Sequence, residues 1–140
     1  MFGKMVWLVI FSLILPIFTL IAEGSGKEEA AVSSAEKWLK SVDQGKYIES
    51  WKEAAGYFKN AVKQEQWEQT LQALRKPLGK LISRKVKNKT YKTSLPGAPD
   101  GEYVVIQFET VFKNKKSSVE TVTPMLEKDG IWRVSGYFIN

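Results

Sequence analysis

The chain is expected to fold as an α+β domain: three N-terminal helices packed on a curved four-stranded antiparallel meander. Three observations lead there. Apolar residues recur at helical spacing over residues 32–78, and from Leu81 the period changes to alternation. Turn-forming runs at 95–101, 114–116 and 128–130 then divide the remainder into four strand-length pieces. The last of these, residues 131–139, carries Trp132, Tyr137 and Phe138, which a frayed tail would leave in water. Helices followed by strands, with no alternation between them, is the pattern of helices collected on one face of an antiparallel sheet.

The first 24 residues read as a leader. Lys4 precedes an apolar run, 5–22, interrupted only by Ser12, Pro16 and Thr19. Such a run is either a signal peptide, cut after Ala22 or Gly24, or an uncleaved anchor. Lys4 before it and Glu23, Glu28 and Glu29 after it orient the domain outward. The expected location is extracytoplasmic: periplasmic or secreted, or held to the inner membrane by residues 5–22. A polar linker, 25–30, then leads into one domain, 31–140, a length that supports a single modest core.

The helices are justified in turn. Ser33 and Glu36 have the spacing of a capping box, and Val32, Ala35, Trp38, Leu39 and Val42 follow on one face until Gly45 stops the first helix. A second helix carries Tyr47, Trp51, Ala54 or Ala55, Phe58 and Val62. A third carries Trp67, Leu71, Leu74 and Leu78 and is closed by Pro77 and Gly79; its start near Lys63 has no good cap.

The strands come next. In the first, Ile82, Arg84 and Val86 should face the helices, and Ser83, Lys85, Lys87 and Lys89 the other way. The second, 102–112, is apolar on both faces: Val104, Ile106 and Phe108 on one, Tyr103, Val105 and Val111 on the other. Pro124 in the third strand implies a bulge or interrupted pairing. The last hairpin admits a two-residue Asp129-Gly130 turn or a three-residue loop from Lys128 with Gly130 left-handed. The longer loop splits the faces more cleanly and is preferred. It puts Val122, Pro124, Leu126, Trp132, Val134, Gly136 and Phe138 together, against Thr121, Thr123, Met125, Arg133, Ser135 and Tyr137. Trp132, Val134 and Phe138 should then look inward.

At these residues the chain resembles a bacterial family, the domain of unknown function 4019, of the nuclear-transport-factor-2-like (cystatin-like) fold group. The resemblance is carried by Trp51 with Phe58, by Trp67, by the Leu74-Arg75-Lys76-Pro77-Leu78-Gly79 run with Arg84 after it, and by the closing Gly130-Ile131-Trp132-Arg133-Val134-Ser135-Gly136-Tyr137. It spans about residues 30–140. It implies a cone of helices over a curved sheet. No activity is established for the family, so it implies no catalytic residue.

Composition narrows the chemistry. No cysteine means no disulfide, thiolate nucleophile or lipid-modified cysteine, and no histidine removes the usual proton shuttle and the commonest metal ligand. No Gly-rich phosphate loop, metal-ligand spacing or nucleophile elbow is present, so no cofactor, metal or catalytic residue is expected. The net charge of +6 suits an anionic partner or plain solubility. Lys85, Lys87 and Lys89, continued by Lys92, Lys115 and Lys116, lack the interleaved aromatics of a nucleic-acid surface and read as edge-strand protection.

Five residues are candidates for a ligand pocket between the layers. Trp51 and Tyr57 would line it, and Arg84 would either bind an anion at its mouth or pair with a helix carboxylate such as Glu53 or Glu49. Gln107 and Glu109 share a strand face, where a carboxylate among apolar neighbours could act as a base. The leading expectation is an exported non-catalytic module for an unknown small ligand or a protein partner, with a homodimer covering the far sheet face. The alternative is an acid–base enzyme of isomerase or dehydratase type using a carboxylate such as Glu109 or a tyrosine.

Overall fold

The computed structural model describes residues 23–140; the leader expected at 1–22 lies outside the described residues. The elements run α1 (Glu23–Asp43), α2 (Tyr47–Glu53), α3 (Gly56–Ala61), α4 (Gln64–Arg75), a 3-10 turn (Lys76–Leu78), β1 (Leu81–Lys92), β2 (Tyr103–Phe112), β3 (Lys115–Leu126) and β4 (Trp132–Ile139). The strands form one antiparallel sheet in the order β1-β2-β3-β4, the expected meander. The helices cover one face of it.

α1 is longer than its capping signal implies. The stretch expected as linker is helical, and Ser33 and Glu36 sit mid-helix. The first turns are held by tertiary contacts: the Lys27 ammonium pairs with Glu102 at 2.5 Å and lies over the Tyr91 ring. One residue along from the expected cap, the Ser34 hydroxyl donates to the Trp132 carbonyl at 2.6 Å. Of the expected apolar stripe of α1, Ala35, Trp38, Leu39 and Val42 are buried, joined by Ala31, while Val32 is only partly buried; the left-handed Gly45 ends the helix.

The second expected helix is two helices. Ala54 and Ala55 are extended, and the Ala55 N–H donates to the Val134 carbonyl at 2.8 Å. Two fully buried alanines, lacking bulk beyond Cβ, let this backbone reach the free edge of β4. The edge bond replaces the one that a continuous helix would have made. α4 starts at Gln64, where Gln66 Oε1 accepts the Lys63 N–H in half of a capping box.

In the last hairpin Gly130 is left-handed, its N–H bonds the Glu127 carbonyl, and Leu126 pairs with Trp132. The three-residue loop is therefore correct. Beyond it, the sheet departs from simple alternation at bulges. On β4, Ser135 and Gly136 together oppose Thr123, so that Val134 pairs with Pro124 but Tyr137 pairs with Val122. The extra residue exchanges the faces of the rest of the strand: Tyr137 turns inward onto the core and Phe138 turns out, 53% exposed. The expectation for Phe138 was wrong for this reason, and those for Trp132 and Val134 were right. Pro124 does mark the irregularity, which lies on the strand opposite it.

β1 is bulged twice, at Ile82 and at Lys87. Ile82 is exposed, not inward, and beyond Lys87 the faces exchange, so Lys89 pairs with Ile106 and leaves the outer lysine row. On the outer face, Tyr103 is fully buried because the β1–β2 loop folds back over it, the phenol donating to the Pro99 carbonyl at 2.6 Å. Part of the far face thus has a cover from its own chain.

Candidate functional site

Polar side chains from all four strands and from α1 and α4 meet between the layers. Glu120 of β3 is fully buried and accepts from Arg84 of β1 (2.7 and 3.2 Å), from the Thr110 hydroxyl of β2 (2.6 Å) and from the Tyr137 hydroxyl of β4. Arg84 bridges onward to Asp43, the last residue of α1, at 2.7 and 2.9 Å. Arg75, the last residue of α4, gives a further bond to Asp43 at 2.9 Å and stacks its guanidinium on Phe112, 4.8 Å from the ring centre. A carboxylate ending a helix opposes the macrodipole. Two arginines offset that here.

Each placement has a local cause. The alternation that buries Val122 also turns Glu120 inward, and the β4 bulge brings Tyr137 round to meet it. Arg84 lies between the two β1 bulges, at the one position of β1 paired with Thr110. The charges balance, two arginines against two carboxylates, as a buried cluster requires. The Arg75 Nε and Nη1 donors are buried without partners, so the cluster is not fully satisfied.

Tyr137, Arg84 and Asp43 are all held away from neutrality. Burial raises the Tyr137 phenol well above its ordinary value and the Glu120 charge adds to this, with Arg75 and Arg84 pulling the other way. For Arg84, burial opposes the charge but the bonds to Asp43 and Glu120 outweigh it and raise the guanidinium further. For Asp43, burial likewise opposes ionisation, yet Arg84 and then Arg75 bring its carboxyl below the ordinary carboxylate value. A depressed folded-state carboxyl contributes stability above its unfolded value and loses it as pH falls through the folded one. Urea midpoints should therefore hold down to about pH 4 and fall below it. Asp43→Asn should lower the plateau and flatten that acid limb; an unchanged limb would show that Asp43 is not its source.

The five sequence candidates do not converge. Arg84 is in the cluster, and its partners are Asp43 and Glu120 in place of the expected Glu53 or Glu49. Trp51 is half-buried among the helices, its indole donating to the Val62 carbonyl at 2.7 Å. Tyr57 is exposed on α3 and donates to the Gly97 carbonyl at 3.0 Å. Gln107 lies on the outer sheet face and accepts from Asn88 at 2.8 Å. Glu109, also outer, is exposed and paired with Lys85 at 3.2 Å, which removes the apolar setting that a base would need.

Asp43, Arg75, Thr110, Glu120 and Tyr137 were missed. Extending the inward row Val122-Pro124 two residues back would have found Glu120, and extending Val104-Ile106-Phe108 two residues on would have found Thr110; nothing in the pattern marks the other three. Grooves of about 680, 560 and 590 Å³ open on the surface; the last is lined by Arg84 and Thr110 of the cluster, and none of the three by Asp43, Arg75, Glu120 or Tyr137. Among the described residues no group of His, Cys, Asp and Glu is placed to hold a metal, and no helix is long and apolar enough to cross a membrane.

Fold and cluster together define the class: an α+β domain whose helical layer is pinned to one face of an open meander by a balanced interior charge cluster. Within that class the chain belongs to the family described as protein of unknown function (DUF4019), whose model matches residues 34–137. Neither the curated proteins nor the solved structures contain a significant match.

Proposed function

We propose that this chain is an exported, non-catalytic binding module that works through its surface and not through its interior. The observation that carries the proposal is the cluster itself. The groups suited to acid–base chemistry, Glu120 and Tyr137, are bonded to each other and to Arg84, and no described groove reaches them. Export is supported by the Lys4 and 5–22 pattern of the leader. The layering of helices over one face of a bulged meander accords with a nuclear-transport-factor-2-like fold.

Carbodiimide labelling of carboxylates tests the interior. Glu109 should react readily and Glu120 should stay unmodified until the protein unfolds; equal labelling of both in the native protein would refute the proposal. Mass spectrometry of cell fractions tests export, since recovery of the chain in the cytoplasm alone, retaining Met1, would remove that half.

A second reading, the acid–base enzyme, rests on one observation: a carboxylate and a tyrosine do stand side by side, at Glu120 and Tyr137 and not at Glu109. Native-state labelling of Glu120 would favour it. Self-association through the outer face is supported by the exposed Phe138, and sedimentation at the monomer mass would remove it.

A further inference from the structure

The groove of about 590 Å³ runs across β1, β2 and β3 and is lined by Ser83, Lys85, Lys87, Val111, Lys116 and Ser117 among others. Its long walls are set by two bulges. Lys87 is the extra residue of the second β1 bulge, and Lys116 with Ser117 opposes the single Val111 on β2. A bulge re-aims the side chain that it carries. Here each does so with a lysine, one on either side of the central strand. β1 and β3 are two strand spacings apart, roughly 10 Å, about the width of one extended chain.

The charge in this groove is one-sided. Glu109 is the one acidic residue lining it and is taken by Lys85, while Arg84 is committed to Asp43 and Glu120. Among the described residues neither Lys87 nor Lys116 has an ion pair. Two copies stacked groove to groove would bring lysines together, so charge complementarity favours an anionic occupant over a second copy.

We propose that this groove binds an acidic, extended segment of a partner polypeptide, carboxylates on the lysine walls and small side chains over the serine and valine floor. The proposal rests on the surface-binding function argued above and names the partner's chemistry. A concave groove suits a strand-like segment better than a bilayer, and no aromatic residue lines it for the base stacking of a single-stranded nucleic acid.

The test is fluorescence anisotropy of the purified protein with a labelled peptide alternating glutamate and serine. The acidic peptide should bind at low salt and its lysine-serine counterpart should not. Affinity should drop about tenfold or more between low and physiological ionic strength, as exposed charge pairs are screened. Lys87→Glu with Lys116→Glu should abolish binding, while Lys40→Glu with Lys52→Glu, on the helical layer, should change it by less than about twofold. No binding of the acidic peptide, equal losses in the two double variants, or phosphatidylglycerol vesicles or an oligonucleotide displacing the peptide through the same lysines would each overturn the assignment. Failure here with Glu120 still protected from labelling would sink the acidic partner and leave the non-catalytic surface module standing.

Discussion

Glu120→Ala should cost about 3–5 kcal/mol, the penalty for removing one partner from a buried ion pair and stranding the other. It empties the acceptor shared by Arg84, Thr110 and Tyr137 and leaves the Arg84 guanidinium, 11% exposed, with Asp43 alone. Set against a typical total of about 5–15 kcal/mol, that loss alone would leave much of the population unfolded at elevated temperature. Glu120→Gln keeps the shape and one acceptor oxygen and should cost less. The informative comparison is Glu120→Ala combined with Arg84→Met. Taking out both charges should recover part of the loss, because the single variant leaves two buried arginines sharing one carboxylate, Asp43. Urea unfolding of the native protein, Glu120→Ala, Arg84→Met and the double variant measures the coupling. Strict additivity would mean that Arg84 and Glu120 do not act as a pair.

Trp38→Ala should also cost about 3–5 kcal/mol, from the cavity left by a buried indole. Trp38 is 3% exposed and ties the two layers together: it packs edge-on against Tyr137 with ring centres 5.3 Å apart, tilts against Trp67 at 6.2 Å, and donates its N–H to the Ser50 carbonyl at 2.8 Å. Trp38→Phe retains most of the apolar surface and loses that bond, so it should cost about 1 kcal/mol more than the smaller ring accounts for. Because Tyr137 leans on Trp38 and bonds Glu120, Trp38→Ala should loosen the charge cluster as well. Faster amide exchange at Glu120 and Tyr137 in that variant would show it. Exchange speeding up in α1 alone would confine the indole's role to the helical layer.

How far the molecule could be read from its residues depends on the range of the signal. The period of Ala35, Trp38, Leu39 and Val42 lies within one element and is a sound guide to what that element buries. The Lys128-Asp129-Gly130 loop was legible for the same reason: one glycine must take a left-handed conformation, and the faces on either side choose between two registers. The start of α1 was not legible, since the bond holding its early turns reaches to Glu102. The break at Ala54 and Ala55 is likewise decided by a carbonyl on β4. Arg84 was correctly suspected of needing a carboxylate, but its partners could not be chosen from a chain that offers fifteen acidic residues.

The order of amino acids by itself determined the class of fold, helices before a meander, the buried stripe from Ala35 to Val42 and the turn that closes the last hairpin. These come from periodicity and turn chemistry, which act over a few residues. Only the tertiary structure decided that Tyr137 faces in and Phe138 out, that Lys87 and Lys116 flank one groove, and that Asp43, Arg75, Arg84 and Glu120 share one interior site. A bulge adds a single residue and exchanges every face beyond it, yet leaves no periodic trace. Ion pairs between residues dozens of positions apart exist only once packing has brought them within reach.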